Sequence, residues 1–264
     1  MAEVSRLERL WAAKNLDDEW WSSFVTAPIA ILINWVVVDW RWLSPNVITF
    51  FSLVTGIAAS ALIVLGGGVN FLVAAALIQF SHVLDCMDGQ MARYRRETSR
   101  FGDYLDKVTD QLQVFLWFAA VAYAAYFQTG SATPVFLGFV GVALYSLRGY
   151  VKYVTIFIQV RHDPDYLEKS AEEALATTRD TPRAGIDAGW KANLVWFLRE
   201  QRKFFLFNEG VFVFLLSAAL VSGRLVPMLW VFASSQVYLG FVRSWQSGRQ
   251  IYLDRATLLK SIEK

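Results

Sequence analysis

Long apolar runs separated by short polar gaps dominate the chain from residue 46 onward. The runs Asn46–Leu65, Phe71–Asp85, Tyr104–Phe127, Pro134–Val160, Phe204–Val221 and Leu225–Phe241 mostly approach the ~20 residues that a helix needs to cross a bilayer. They predict six transmembrane helices. The second run is short only because it enters a charged segment, and its helix is expected to continue through Arg93 into the headgroup region. A further apolar stretch, Phe24–Val38, contains Pro28 and Asn34 and ends in Asp39-Trp40-Arg41-Trp42. Counting it as a span would set the charged segment and the basic loops on conflicting sides. It is read as an amphipathic helix lying on the membrane surface, with tryptophans at the interface.

The composition agrees: 55% of residues are hydrophobic and 18% charged, with 11 Trp and 20 Phe, unlike most soluble domains. The expected fold is an all-α integral membrane domain over residues 1–264, six transmembrane helices with an N-terminal amphipathic interfacial helix. Residues 1–45 form its cytoplasmic and interfacial N-terminal segment. Residues 161–203, with eight basic and eight acidic side chains, form a cytoplasmic insertion between the fourth and fifth spans. Pro182, Gly185 and Gly189 break this insertion, and Trp190–Phe207 suits a second surface-lying helix. The loops at Gly66–Asn70 and Gln128–Thr133 carry no charge, whereas Arg93, Arg95, Arg96, Arg100, Arg199, Arg202, Lys203, Arg249, Arg255 and Lys260 fall on the opposite side. The positive-inside rule makes that side, and both termini, cytoplasmic. Met1–Trp21 is charged throughout and lacks the apolar core of a cleavable signal.

Lys+Arg 25 against Asp+Glu 23 leaves no broad basic surface, so nucleic acid is not an expected partner. Cys86 is the only cysteine, which excludes an intramolecular disulfide, and its apolar setting suits packing. His82 and His162 are the only histidines and are read as structural, leaving little for a zinc site. No internal repeat of the transporter kind is visible.

Candidate chemistry concentrates in Asp85-Cys86-Met87-Asp88-Gly89-Gln90-Met91-Ala92-Arg93 and the following Gly102, Asp106 and Asp110. Asp85 and Asp88 are three apart, and Asp106 and Asp110 four apart, so on helices each pair shares a face. Two such helices facing each other would pool four carboxylates at a membrane face, an arrangement too repulsive to stand without cations. Hard divalent ions, Mg2+ or Mn2+, take oxygen ligands, and a pair of them bridged by carboxylates is a recurrent device for phosphoryl transfer.

The spacing D-x2-D-G-x2-A-R-x8-G-x3-D-x3-D resembles the signature of the CDP-alcohol phosphotransferase family at every fixed position. Ser44-Pro45-Asn46 with Thr49 also looks like the opening of that family's first membrane helix. The resemblance covers Ser44 to Asp110 and is topological elsewhere. It implies transfer of a substituted phosphoryl group from a CDP-linked donor to an acceptor hydroxyl, with release of CMP. It also implies two divalent ions held by Asp85, Asp88, Asp106 and, in part, Asp110, with Asp110 as candidate general base. Gly89, Ala92 and Gly102 would let cytidine approach the backbone, and Arg93 would hold a phosphate. For each residue a bland reading stands beside this one: solvated helix-end acids, small residues for packing, arginines meeting headgroups.

Arg148 and Lys152 lie four apart in the fourth run. They read either as a pocket for a phosphate-bearing acceptor such as inositol phosphate or glycerol 3-phosphate, extended by Arg161, or as snorkelling cations or an ion pair with Glu209. Asp103–Asp110 is nearest to inositol-phosphate-using branches of the family. An interfacial site argues for a lipid substrate, first CDP-diacylglycerol as donor; the alternative is a soluble CDP-alcohol donor with a lipid acceptor. The family's usual homodimer is compatible with small residues along Ala119–Ala125. From another class, a divalent-cation transporter would also gather carboxylates, but it would not need Gly89, Ala92 and Gly102.

Overall fold

The computed structural model describes residues 5–15, 19–180, 189–201 and 207–262. Arg202, Lys203, Pro182 and Gly185 of the predicted insertion lie outside these residues, as do the side chains of Arg255 and Lys260. The described residues form helices and no strand: α1 (Arg6–Ala12), a π-turn (Ser22–Thr26), α2 (Ala27–Val37), α3 (Pro45–Leu65), α4 (Gly68–Arg95), α5 (Arg100–Thr129), α6 (Thr133–His162), α7 (Tyr166–Asp180), α8 (Gly189–Glu200), α9 (Glu209–Ser222) and α10 (Leu225–Ile262).

Five of these, α3, α4, α5, α6 and α10, are long and apolar enough to cross a membrane. The expected fifth span differs. Its described part is α9, whose 14 residues rise about 21 Å, short of the ~30 Å hydrocarbon core. Val213, Leu216 and Leu220 of α9 are buried, so protein surrounds much of the helix.

Ends and turns are written into the sequence. Ser44 caps α3, accepting from Val47 N at 3.4 Å, and Pro45 starts the helix where its missing N–H costs nothing. α4 stops at Arg96 in the left-handed region. Ser99 then caps α5 by accepting from Gly102 N at 3.0 Å. The resulting reversal of four residues sets the end of α4 against the start of α5. Gly66 and Gly67, both at positive φ, make the opposite turn between α3 and α4.

The apolar core is shared by α3 to α6, α9 and α10, with Phe118 stacked on Phe232. A Cβ at Gly141 would lie 2.5 Å from Phe232 and one at Gly138 2.8 Å from Ala122, so these glycines admit α6 close to α10 and α5. Ala120, Ala122, Ala124 and Ala125 are buried within the chain. Most of the small-residue stripe offered for self-association is thus used inside the bundle.

A polar layer ties α3, α4 and α5 just beneath the carboxylates: Ser52 donates to Ser81 O at 2.8 Å, Ser81 to Gln113 Oε1 at 2.7 Å and Gln113 to Ser52 Oγ at 3.3 Å. Inside a bundle such satisfied groups fix helix register. The N-terminal segment wraps the polar end of α4. Asn34 donates to Met87 O at 3.0 Å, and Arg95 donates to Val38 O, Leu43 O and Trp40 O at 2.8–3.0 Å. α2 therefore lies beside the motif, with Ile29, Leu32, Trp35 and Val36 exposed on its outer face. The buried face, Ala27, Ala30, Ile31 and Val37, is apolar too apart from Asn34, so α2 lacks the polar face of the amphipathic helix expected over Phe24–Val38.

Candidate active site

α4 carries Asp85 and Asp88, α5 carries Asp106 and Asp110, and the short turn between the helices makes the two pairs face each other. Carboxylate oxygens of Asp85, Asp88 and Asp106 lie within 4.8 Å of one another. Asp110 completes the group against Asp85. Thr49, on the first turns of α3, hydrogen-bonds Asp88 and fixes its rotamer. Lys107 bridges α5's own acids, with Nζ 2.5 Å from Asp106 Oδ2 and 3.4 Å from Asp110 Oδ2.

These residues line one side of a cavity of about 260 Å³ at the polar end of the bundle. Gly89, Ala92, Arg93 and Gly102 line the same cavity. A Cβ at Gly102 would lie 3.2 Å from Asn46 Oδ1 and Ser99 Oγ, and one at Gly89 3.1 Å from Arg93 Nη1. The wall at both glycines is backbone, which a flat ring can approach. Arg93 is held from behind: its Nε donates to Ala13 O at 2.6 Å, where α1 ends.

The donor set fits hard divalent ions. Three aspartates from facing helices offer oxygen atoms at metal-bridging separations, with one lysine as partial compensation. No softer ligand is among them.

The acceptor residues expected from sequence fall elsewhere. Arg148 Nη1 donates to Gln236 Oε1 of α10 at 2.6 Å, and its guanidinium stands 5.9 Å from the Tyr145 ring. Lys152 and Arg161 are exposed. Among the described residues that line the cavity none of the three appears. The reason is packing: α6 sits against α5 and α10 and contributes no lining residue, while the cavity is walled by α3, α4, α5, α9 and the N-terminal segment. Glu209, offered as an ion-pair partner for Arg148, instead lies 3.6 Å from His82 Nδ1.

Among the residues that line the cavity, sequence reasoning gave no site role to Glu19, Ser22, Lys107 and Glu209, the last read there as an ion-pair partner for Arg148. Glu19 accepts from Gly210 N and from Ser22 Oγ, so it caps α9 from the N-terminal segment. Burial pushes its carboxyl above the ordinary carboxylate range. Glu209 had one readable signal, since it is an acid opening an apolar run that alternating spans return to the motif end.

Comparisons with known proteins agree with this arrangement. The sequence profile of a family described as CDP-alcohol phosphatidyltransferase matches residues 42–178, which include the whole motif. A bifunctional IPC transferase and DIPP synthase from Thermococcus kodakarensis is 31% identical over 125 residues, covering 46% of this chain and 28% of that protein. Its namesake from Archaeoglobus fulgidus is 32% identical over 111 residues, covering 42% and 21%. This chain therefore aligns with roughly a quarter of each. Among solved structures, Mycobacterium tuberculosis phosphatidylinositol phosphate synthase with CDP-DAG bound superposes with a TM-score of 0.55 at 20% identity, covering 84% of this chain and 93% of that one. That likeness is one of fold.

Proposed function

The chain belongs to the CDP-alcohol phosphatidyltransferase family, and on that footing we propose that it is an integral membrane enzyme that transfers a substituted phosphoryl group from a CDP-linked donor to an acceptor hydroxyl, with CDP-diacylglycerol as the donor and CMP as the leaving group. The observation that carries this reading is the convergence of Asp85, Asp88, Asp106 and Asp110 on one cavity whose other walls are Gly89, Ala92, Gly102 and Arg93.

Asp85, Asp88 and Asp106, with Asp110 in part, would hold two Mg2+ or Mn2+ ions. The chemistry of such a bound pair is neutralisation of the donor diphosphate and of the charge growing on CMP. The cytidine lies against the low wall at Gly89, Ala92 and Gly102, and Arg93 offers a planar fork to a phosphate oxygen. The acceptor oxygen attacks the phosphorus distal to cytidine, in line with the bond to CMP. As that oxygen forms its new P–O bond its proton passes to an Asp110 carboxylate oxygen, and the old P–O bond leaves with CMP. Thr49 holds Asp88, and Lys107 holds Asp106, so neither acid must find its rotamer during the reaction.

The site end also bears Arg93, Arg95, Arg96, Arg100 and Arg161, which supports a cytoplasmic active site. CMP release from CDP-diacylglycerol by purified protein, dependent on Mg2+ or Mn2+ and on an added alcohol and lost in Asp110→Asn, tests the proposal. Release that persists in Asp110→Asn would remove the assignment of the base. A protein that neither binds nor consumes the lipid donor would overturn that donor in favour of a soluble CDP-alcohol.

A further inference from the structure

The cavity continues past the aspartates. Beyond Asp85 and Asp110 its wall is made by Glu19 and Ser22 of the N-terminal segment, His82 of α4 and Glu209 at the start of α9. His82 is 4% exposed, with Nε2 2.9 Å from Ser22 Oγ and Nδ1 3.6 Å from Glu209 Oε1. The Glu209 side chain keeps 39% of its surface open. The imidazole thus backs the carboxylate, and the carboxylate faces the cavity. A Glu209 oxygen, a His82 nitrogen and an Asp85 oxygen all lie within 4.8 Å of one another.

The placement is built rather than incidental. Gln79, one turn before His82, donates to Ser217 Oγ of α9 at 2.9 Å and accepts from Trp21 Nε1 at 2.9 Å. One side chain therefore joins α4, α9 and the N-terminal segment, and it sets where Glu209 stands relative to Asp85. Gly210 lets the joint close, because a Cβ there would lie 2.5 Å from Ser22 Oγ and 2.6 Å from Glu19 Oε1.

Resting on the transferase reading, we propose that Glu209 is an acceptor-binding residue, positioned by His82, and that the acceptor is a polyol bearing no phosphate. With the nucleotide against Gly89, Ala92 and Gly102, the acceptor is left the end beyond Asp110. A carboxylate there accepts hydrogen bonds from hydroxyl groups. A phosphomonoester at the same place would face the Glu209 carboxylate, and like charges in a partly enclosed site repel. Among the described residues that line the cavity the cations besides His82 are Lys107, already bridging Asp106 and Asp110, and Arg93 on the nucleotide wall. The arginine and lysine expected to bind an acceptor phosphate, Arg148 and Lys152, do not reach this wall.

The test is CMP release from CDP-diacylglycerol with matched acceptors, inositol against inositol phosphate and glycerol against glycerol 3-phosphate, in wild type, Glu209→Gln, Glu209→Asp and His82→Gln. The wild type should use an unphosphorylated acceptor better than its phosphate. Glu209→Gln should raise the acceptor KM about tenfold with the donor KM unchanged, Glu209→Asp should recover part of the loss, and His82→Gln should follow Glu209→Gln more weakly. A wild type that prefers the phosphorylated acceptor, or donor and acceptor KM values that rise together in Glu209→Gln, would overturn the proposal. Absence of CMP release with either kind of acceptor, while radiolabelled CDP-diacylglycerol still binds, would overturn the acceptor assignment alone. Loss of donor binding as well would take the transferase reading with it.

Discussion

Ser81 and Gln113 are hydrogen-bonded at 2.7 Å across the α4–α5 interface, one turn deeper in the bundle than Asp85 and Asp110. The bond sets the register in which the two aspartate pairs face each other. Gln113→Leu removes the acceptor and leaves Ser81 and Ser52 to satisfy each other alone. Two buried hydrogen bonds are lost, each contributing about 0.5–1.5 kcal/mol. The variant should lose several degrees of thermal midpoint in detergent, and its apparent metal affinity should fall. An unchanged metal titration would mean that the register is held by apolar packing.

Asp110 and Asp85 touch, yet different roles are assigned to them. Asp110→Asn should lower kcat by ~10²–10⁴, the usual contribution of a positioned base, while CDP-donor binding remains. Asp85→Asn should weaken both metal and donor binding. Binding assays on the two variants, run beside turnover, decide it; equal losses of donor binding would sink this division of labour.

A Cβ at Gly102 would press on Asn46 and Ser99 at 3.2 Å. Gly102→Val should raise the donor KM and leave the acceptor KM near its wild-type value, because the branched side chain fills the floor under the proposed cytidine. The contrast between the two constants is the readout. A variant that loses both equally would point to distortion of α5.

The motif is legible because its residues need only local geometry: intervals of three and four on two helices joined by a short turn. The spans are legible because apolar runs of this length have few other uses. What lies beyond the sequence is which side of each span faces protein. A helix that is apolar all round carries no period that marks its inner face, so Arg148 can be assigned to a pocket when it reaches Gln236 on α10. The wall made by Glu19, Ser22 and Glu209 depends on contacts across 191 residues of chain, Glu19 to Gly210, and no local spacing encodes such a pairing. The length of α9 escapes the sequence for a related reason, since a helix sheltered by neighbours need not match the bilayer.

Arg93 joins the cavity to the N-terminal segment, for its Nε is held by Ala13 O while the rest of its guanidinium borders Gly89. Arg93→Lys keeps the charge and loses the planar fork. It should raise the donor KM about tenfold, roughly the loss of one charge-assisted hydrogen bond, and loosen residues 5–15. Hydrogen exchange at those amides, with and without donor, separates the two effects. Faster exchange with an unchanged donor KM would make Arg93 a purely structural tie.

Glu19 offers a pH signature. Its carboxyl is raised chiefly by burial, with Glu209 adding to the effect, while the backbone N–H groups of Glu19 and Gly210 and the charge on His82 oppose it. A folded-state pKa above the unfolded value means that the folded protein holds this proton more tightly. The stability so contributed is fully present below the unfolded value of about 4.5 and is lost as pH rises through the folded pKa. Glu19→Gln still accepts from Gly210 N and carries no desolvated charge. Its thermal midpoint relative to wild type should therefore rise between pH 5 and pH 8, by an amount corresponding to about 1.4 kcal/mol for each tenfold by which folding tightens the hold on the proton. Glu19→Ala, which loses the cap as well, should be less stable than Glu19→Gln at both pH values. A wild type that gains on Glu19→Gln as pH increases would show that the ionised carboxylate is the stabilising form, bound to α9 strongly enough to outweigh its burial.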